Sequence, residues 1–157
     1  MSFEGRRPHF RYAPARNWIN DPNGLIWFDG EYHLFYQYNP LGTGWGNMSW
    51  GHAVSPDLVT WTELPVAIPH LPDELVFSGS VVCDRENTAG FAGDDGPALV
   101  AVYTAVDPGT GRQVQALAHS LDRGRTWTRY EATRSWTSAR PSSVTRRSSG
   151  MDPVAIG

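Results

Sequence analysis

The residues best placed to do chemistry sit in one short run, Trp18-Ile19-Asn20-Asp21-Pro22-Asn23-Gly24, which enters the apolar stretch Leu25-Ile26-Trp27-Phe28. Asp21 supplies a carboxylate, a group that can work as nucleophile or as acid/base catalyst. Read locally, Asp-Pro-Asn-Gly is a β-turn, in which Pro22 fixes φ and Gly24 relieves a positive φ. Three further segments follow in order: Phe35-Tyr36-Gln37-Tyr38-Asn39-Pro40, Trp45-Gly46-Asn47-Met48-Ser49-Trp50-Gly51-His52 and Phe77-Ser78-Gly79-Ser80. They add neutral amides, hydroxyls and flat aromatic faces, which can hydrogen-bond or stack without adding charge. Taken singly, each has an ordinary reading. Gln37 fits an exposed strand position, Trp45 fits a loop anchor, and His52 on its apolar run is more readily structural than catalytic.

The elements that must hold these residues read as strands. Leu25–Phe28, Tyr32–Tyr38, Ser49–Val54 and Ala98–Ala105 alternate, and turn signals such as Asp29-Gly30 and Pro108-Gly109 separate them. No convincing amphipathic helix appears, and sixteen Gly and twelve Pro punctuate the chain, so an all-β fold is expected. An internal echo sharpens this. Ser55-Pro56-Asp57-Leu58-Val59-Thr60-Trp61-Thr62 recurs 65 to 66 positions later as Ser120-Leu121-Asp122-Arg123-Gly124-Arg125-Thr126-Trp127-Thr128. The second copy fits S-x-D-x-G-x-T-W, the Asp-box turn that joins two outer strands of a propeller blade. Its Ser and Asp bond turn backbone while its Trp packs between sheets, and a repeat of about four short strands is one blade. Two similar hairpins in a sandwich would give the same echo. Trp50, Trp61 and Trp127 are assigned to blade packing.

Composition removes several classes. The single Cys83 leaves no internal disulfide framework and no Cys-based zinc site. The start Met is followed by no apolar leader, and no run of apolar residues is long enough to cross a membrane, so a cytoplasmic location is expected unless an upstream start was missed. Neither nucleic acid nor membrane is expected as a partner. All thirteen basic residues are Arg, none is Lys, and a GC-rich gene follows from the codons.

Together the four segments, in this order, resemble glycoside hydrolase family 32, the invertase, levanase and inulinase group, across residues 8–131. The resemblance implies a five-bladed β-propeller followed by a β-sandwich, with the active site in a funnel at the propeller axis. This chain then supplies the first blades. The resemblance implies retaining hydrolysis of fructofuranosides, which needs two carboxyls about 5 Å apart. Asp21 matches the family's nucleophile, while Asn20, Gln37 and Ser78 match positions that bond sugar hydroxyls. Trp18, Trp45 and Phe77 match the apolar wall against which a sugar face packs. No metal and no cofactor are implied, and the implied partner is a fructose-containing di-, oligo- or polysaccharide. The alternatives are a carbohydrate-binding remnant without turnover and a propeller-like interaction module. Arabinan-cleaving propellers fit less well because they lack the Trp-Ile-Asn-Asp-Pro-Asn-Gly context.

Two family motifs are missing from the sequence: an Arg-Asp-Pro, whose Asp steadies the transition state, and a Glu-Cys, whose Glu is the acid/base. The chain also changes character at its end. Residues 1–131 carry a net charge of −6, whereas residues 132–157 carry +3, with six Ser and one acidic residue, Asp152. A disordered basic tail has this composition. A lost base explains it better. With ordinary codons for Ala132 to Gly150, and one G restored after the Glu131 codon, the frame reads G-N-P-V-L-D-L-G-S-A-E-F-R-D-P-K-V-F-W. It contains the absent Arg-Asp-Pro. Residues 1–131 are therefore expected to be propeller, and 132–157 a frameshifted, non-native tail.

Overall fold

Runs of β-branched and aromatic residues, each closed by a turn residue, become eight strands in the computed structural model, which describes residues 12–93 and 96–133. They are β1 (Trp18–Phe28), β2 (Glu31–Asn39), β3 (Ser49–Ser55), β4 (Thr62–Ile68), β5 (Leu75–Asp84), β6 (Ala98–Val106), β7 (Gln113–Ser120) and β8 (Thr128–Arg129). A single 3-10 turn, Glu131–Thr133, follows, and no α-helix occurs among the described residues. The strands form two four-stranded antiparallel meanders, β1-β2-β3-β4 and β5-β6-β7-β8. Each is one propeller blade, with its strands in chain order from the inner edge outward. The tail expectation falls almost wholly outside the described residues.

The Asp-Pro-Asn-Gly segment is not the turn that its local sequence suggests. It lies inside β1, which pairs with β2 through two register shifts, between Ile19 and Pro22 and between Asn23 and Ile26. An edge strand tolerates this. Pro22 has no N–H to give to a ladder, and among the described residues β1 has a ladder neighbour on one side only. Gly24 takes φ +50, and a Cβ there would lie 2.6 Å from a Val81 methyl, so glycine lets β1 press against β5 of the second blade. The Asp29-Gly30 turn behaves as its sequence predicts, with φ of 47° and 85°.

The core lies between the blades. Phe35 and Trp50 of the first sheet meet Val76, Val81, Leu99, Ala101, Tyr103 and Ala118 of the second. Strand alternation then sends Tyr36 and Tyr38 to the far side of blade 1, where Tyr12, Leu34 and Trp61 pack with them. Burial pushes the Tyr12 hydroxyl up to about 12 and raises Tyr36 as well, and the two hydroxyls hydrogen-bond at 2.6 Å.

Both Asp-box turns form, joining β3 to β4 and β7 to β8. In blade 1 the Ser55 hydroxyl and Asp57 carboxylate accept backbone N–H bonds from Leu58 at 2.8 Å and Thr60 at 2.7 Å. In blade 2 Ser120 and Asp122 accept from Gly124 and Thr126, both at 2.8 Å. Each Trp indole N–H returns to the turn, Trp61 to Leu58 O and Trp127 to Gly124 O. Four strands escaped the alternation signal. Pro65 interrupts β4, Ser78-Gly79-Ser80 breaks the apolar run of β5, Gln113 and Gln115 dilute β7, and β8 has only two residues.

Candidate active site

At the junction of the two blades the inner strands β1 and β5 lie side by side, and the site forms where they meet. Trp18, Asn20 and Asp21 come from β1, Gln37 from β2, Phe77 and Ser78 from β5, and Trp45 from the loop between β2 and β3. All seven line one shallow open cavity of about 120 Å³. The bulged course of β1 exposes Asn20 and Asp21 instead of folding them into the pleat.

Ser78 Oγ donates to Asp21 Oδ2 at 2.9 Å. This bond crosses from blade 2 to blade 1 and leaves the second carboxylate oxygen without a partner among the described residues. Beneath it, the buried Asn23 accepts the Gly79 N–H through Oδ1 at 3.1 Å. Gly79 is confined too: a Cβ would come within 2.1 Å of Val102 O, so only glycine lets β5 approach β6 here. Gln37 is not the exposed strand residue that its surroundings in sequence allow. It is 4% exposed and donates Nε2 to Val76 O at 3.0 Å, which fixes the plane of its amide. Trp45 stands 64% exposed, and its indole meets Phe77 edge-on with centroids 6.4 Å apart.

Met48, which the motif reading passed over as a candidate, also lines the cavity. Its carbonyl accepts Val76 N–H at 2.8 Å, again joining the blades. Its only sequence signal is its place in the Trp45–His52 segment. His52 is buried in the inter-blade core, stacked on Phe35 with centroids 4.2 Å apart. His52 Nε2 lies 3.1 Å from His33 Nδ1. Burial first, then His33 and Arg125, pull the His52 imidazole down to about 3, and burial lowers His33 as well. Among the described residues, no group of His, Cys, Asp and Glu side chains is placed to hold a metal ion.

The two sheets thus define a β-propeller junction that presents one carboxylate among amides, a hydroxyl and aromatic faces. Comparison with known proteins narrows the class. The model of the glycosyl hydrolases family 32 N-terminal domain matches residues 9–153. Levanase of Bacillus subtilis is 55% identical over 129 residues, which cover 81% of this chain and 18% of that protein. The crystal structure of exo-inulinase from Aspergillus awamori superposes with a TM-score of 0.75 at 45% identity, covering 82% of this chain and 29% of the other. β-Fructofuranosidase from Schwanniomyces occidentalis, complexed with fructosyl-erythritol, gives 0.75 at 43% identity, covering 80% and 25%. The chain belongs to glycosyl hydrolase family 32. It spans less than a third of the length of these relatives.

Proposed function

We propose that this chain carries the nucleophile half of a retaining β-fructosidase site, acting on terminal fructofuranosyl units of sucrose-, levan- or inulin-type substrates. The convergence of Asp21 with the six flanking site residues on one cavity, with Ser78 bonded to the carboxylate, carries the reading. In the first step the Asp21 carboxylate forms a bond to the anomeric carbon as the bond to the leaving oxygen breaks. That oxygen takes a proton from an acid. Water then adds to the anomeric carbon, passes its proton to the same group and frees the carboxylate, so configuration is retained. Ser78 holds Asp21 in one rotamer, and the amides of Asn20 and Gln37 meet sugar hydroxyls without adding charge. Trp18, Trp45 and Phe77 supply the apolar faces.

Among the described residues, Asp21 is the only carboxylate lining the cavity. General acid assistance contributes about 10²- to 10⁴-fold, so the 157-residue chain is expected to hydrolyse neither sucrose nor levan appreciably. For this chain by itself, that single carboxylate favours a second reading, sugar binding without turnover. The frame reading supplies the rest: with one G restored after the Glu131 codon, Arg-Asp-Pro follows and a Glu-Cys is expected beyond it. Sequencing the gene across that codon tests this, and a stop codon soon after in the restored frame contradicts it. The functional test is fructose release by the extended enzyme, which Asp21→Asn should nearly abolish. An Asp21→Asn enzyme with full activity would overturn the reading.

A further inference from the structure

Trp45 poses a physical question. An indole 64% exposed gains little from burial, and its one aromatic neighbour among the described residues, Phe77, meets it only edge-on. Its neighbours in the β2–β3 loop do not hold it either, since Leu41 is 72% exposed and both Thr43 and Gly44 lie in solvent. The loop must be fixed by hydrogen bonds, and one side chain makes three of the bonds that do so, more than any other. Asn39, the last residue of β2, is 4% exposed. Its Nδ2 donates to Gly44 O at 2.7 Å, immediately before Trp45. Its Oδ1 accepts from Leu41 N–H at 3.0 Å and from Asn47 Nδ2 at 3.3 Å. One buried amide thus grips the start, middle and end of the loop. Two lesser ties run from the strand entry: Asn17 Nδ2 donates to Pro40 O at 2.7 Å, and Trp18 N–H donates to Gly42 O at 3.0 Å. Asn39 is also the β-ladder partner of Trp18, so it ties both tryptophans of the site together.

We infer that Asn39 is a positioning residue for sugar recognition: it holds the Trp45 indole against the cavity so that the funnel wall exists before a sugar arrives. The inference rests on the proposed reading of the site. An exposed aromatic platform is useful only when its orientation is set in advance, because ordering it on binding would subtract from affinity. The polar clamp provides that order where burial cannot.

The test uses the full chain labelled with 5-fluorotryptophan, the Trp45 signal being assigned by its loss in Trp45→Phe. Asn39→Ala should shift and broaden the Trp45 resonance while leaving those of Trp50 and Trp127 in place. Exchange of the Leu41 amide should quicken about ten-fold as its acceptor disappears. If Asn39→Ala fails to fold, Asn39→Asp decides. It keeps the acceptor for Leu41 and Asn47 but sets an oxygen against Gly44 O, and it should move Trp45 alone. An unmoved Trp45 resonance in a folded variant overturns the inference, as does a uniform shift of all the tryptophans. Titration of the unmutated chain with an inulin-type oligofructan judges the underlying reading separately. Sugar that never perturbs Trp45 counts against the site, whereas Trp45 that responds to sugar but ignores Asn39 counts against the clamp alone.

Discussion

The turn from Ser55 to Trp61 and the turn from Ser120 to Trp127 make matching hydrogen bonds, yet among the described residues only the second is seated in a neighbouring sheet. In blade 2, Gly124 lies over blade 1, where a Cβ would come 3.3 Å from His52 and 3.4 Å from His33. Trp127 meets Phe35 edge-on at 5.4 Å, and Arg125 pairs with Glu31 at 2.6 Å. In blade 1, the matching Leu58 and Val59 are 46% and 83% exposed, and Trp61 packs on Tyr12 from the entering chain. The local bonds thus follow from the motif alone, whereas the packing depends on what lies beyond it. Blade 1 gains its buried near face from blade 2, and that face carries the strands on which the site is built.

Substitutions at equivalent positions should separate the two contributions. The largest difference is expected at the tryptophans. Trp127→Ala removes an aromatic wedge from the inter-blade core and should cost about 3 kcal/mol, while Trp61→Ala should cost about 1 kcal/mol, read from urea midpoints. Equal losses would show that the seat on blade 1 adds nothing.

Acid should distinguish the turns next. His33 and His52 are held neutral in the fold, with His52 pulled down to about 3 from an ordinary value near 6.5. A depressed histidine leaves the native state short of a proton that the unfolded chain binds, so stability is intact above about pH 6.5 and falls as pH drops toward 3. The His52 contribution to that slope is at most about 1.4 kcal/mol per pH unit. His52→Phe, which keeps the stack on Phe35, should flatten the decline between pH 6 and 4, as followed by thermal unfolding. An unchanged slope would remove the pair from the account.

A smaller effect is expected at Gly124, where φ is +77 and His52 lies close. Gly124→Ala should cost about 1–2 kcal/mol from backbone strain and crowding, measured by the same urea titration. The smallest effect belongs to the motif itself. Asp57→Ala and Asp122→Ala each remove the carboxylate that caps a turn, and their midpoints should move by similar small amounts, because those bonds are local in both blades.

Much of this arrangement is legible in the residues. The Asp-box echo gives the blade repeat because its Ser, Asp and Trp satisfy groups within the same turn. The residues that share the cavity are legible as motifs, since their order matches a family. The course of β1 was not legible. Asp-Pro-Asn-Gly carries every local signal of a turn, and only its place on an inner edge, pressed on Val81 through Gly24, makes it a bulged strand. Gln37 illustrates the same limit. Its burial comes from Val76 O on the other blade, 39 residues away in sequence. Met48 and Asn39 carry no sequence signal of their own for a related reason, as their bonds involve backbone groups of distant or irregular segments that no periodicity marks.

The central claim is that Asp21 is the nucleophile of a fructosyl-transferring site at the junction of the blades. The most direct measurement is peptide mass analysis of the frame-extended enzyme, quenched with acid during turnover of an activated fructosyl donor. The account predicts one added fructosyl residue on the peptide containing Asp21, absent from Asp21→Asn. An adduct on another carboxylate, or sustained retaining turnover by Asp21→Asn, would contradict it.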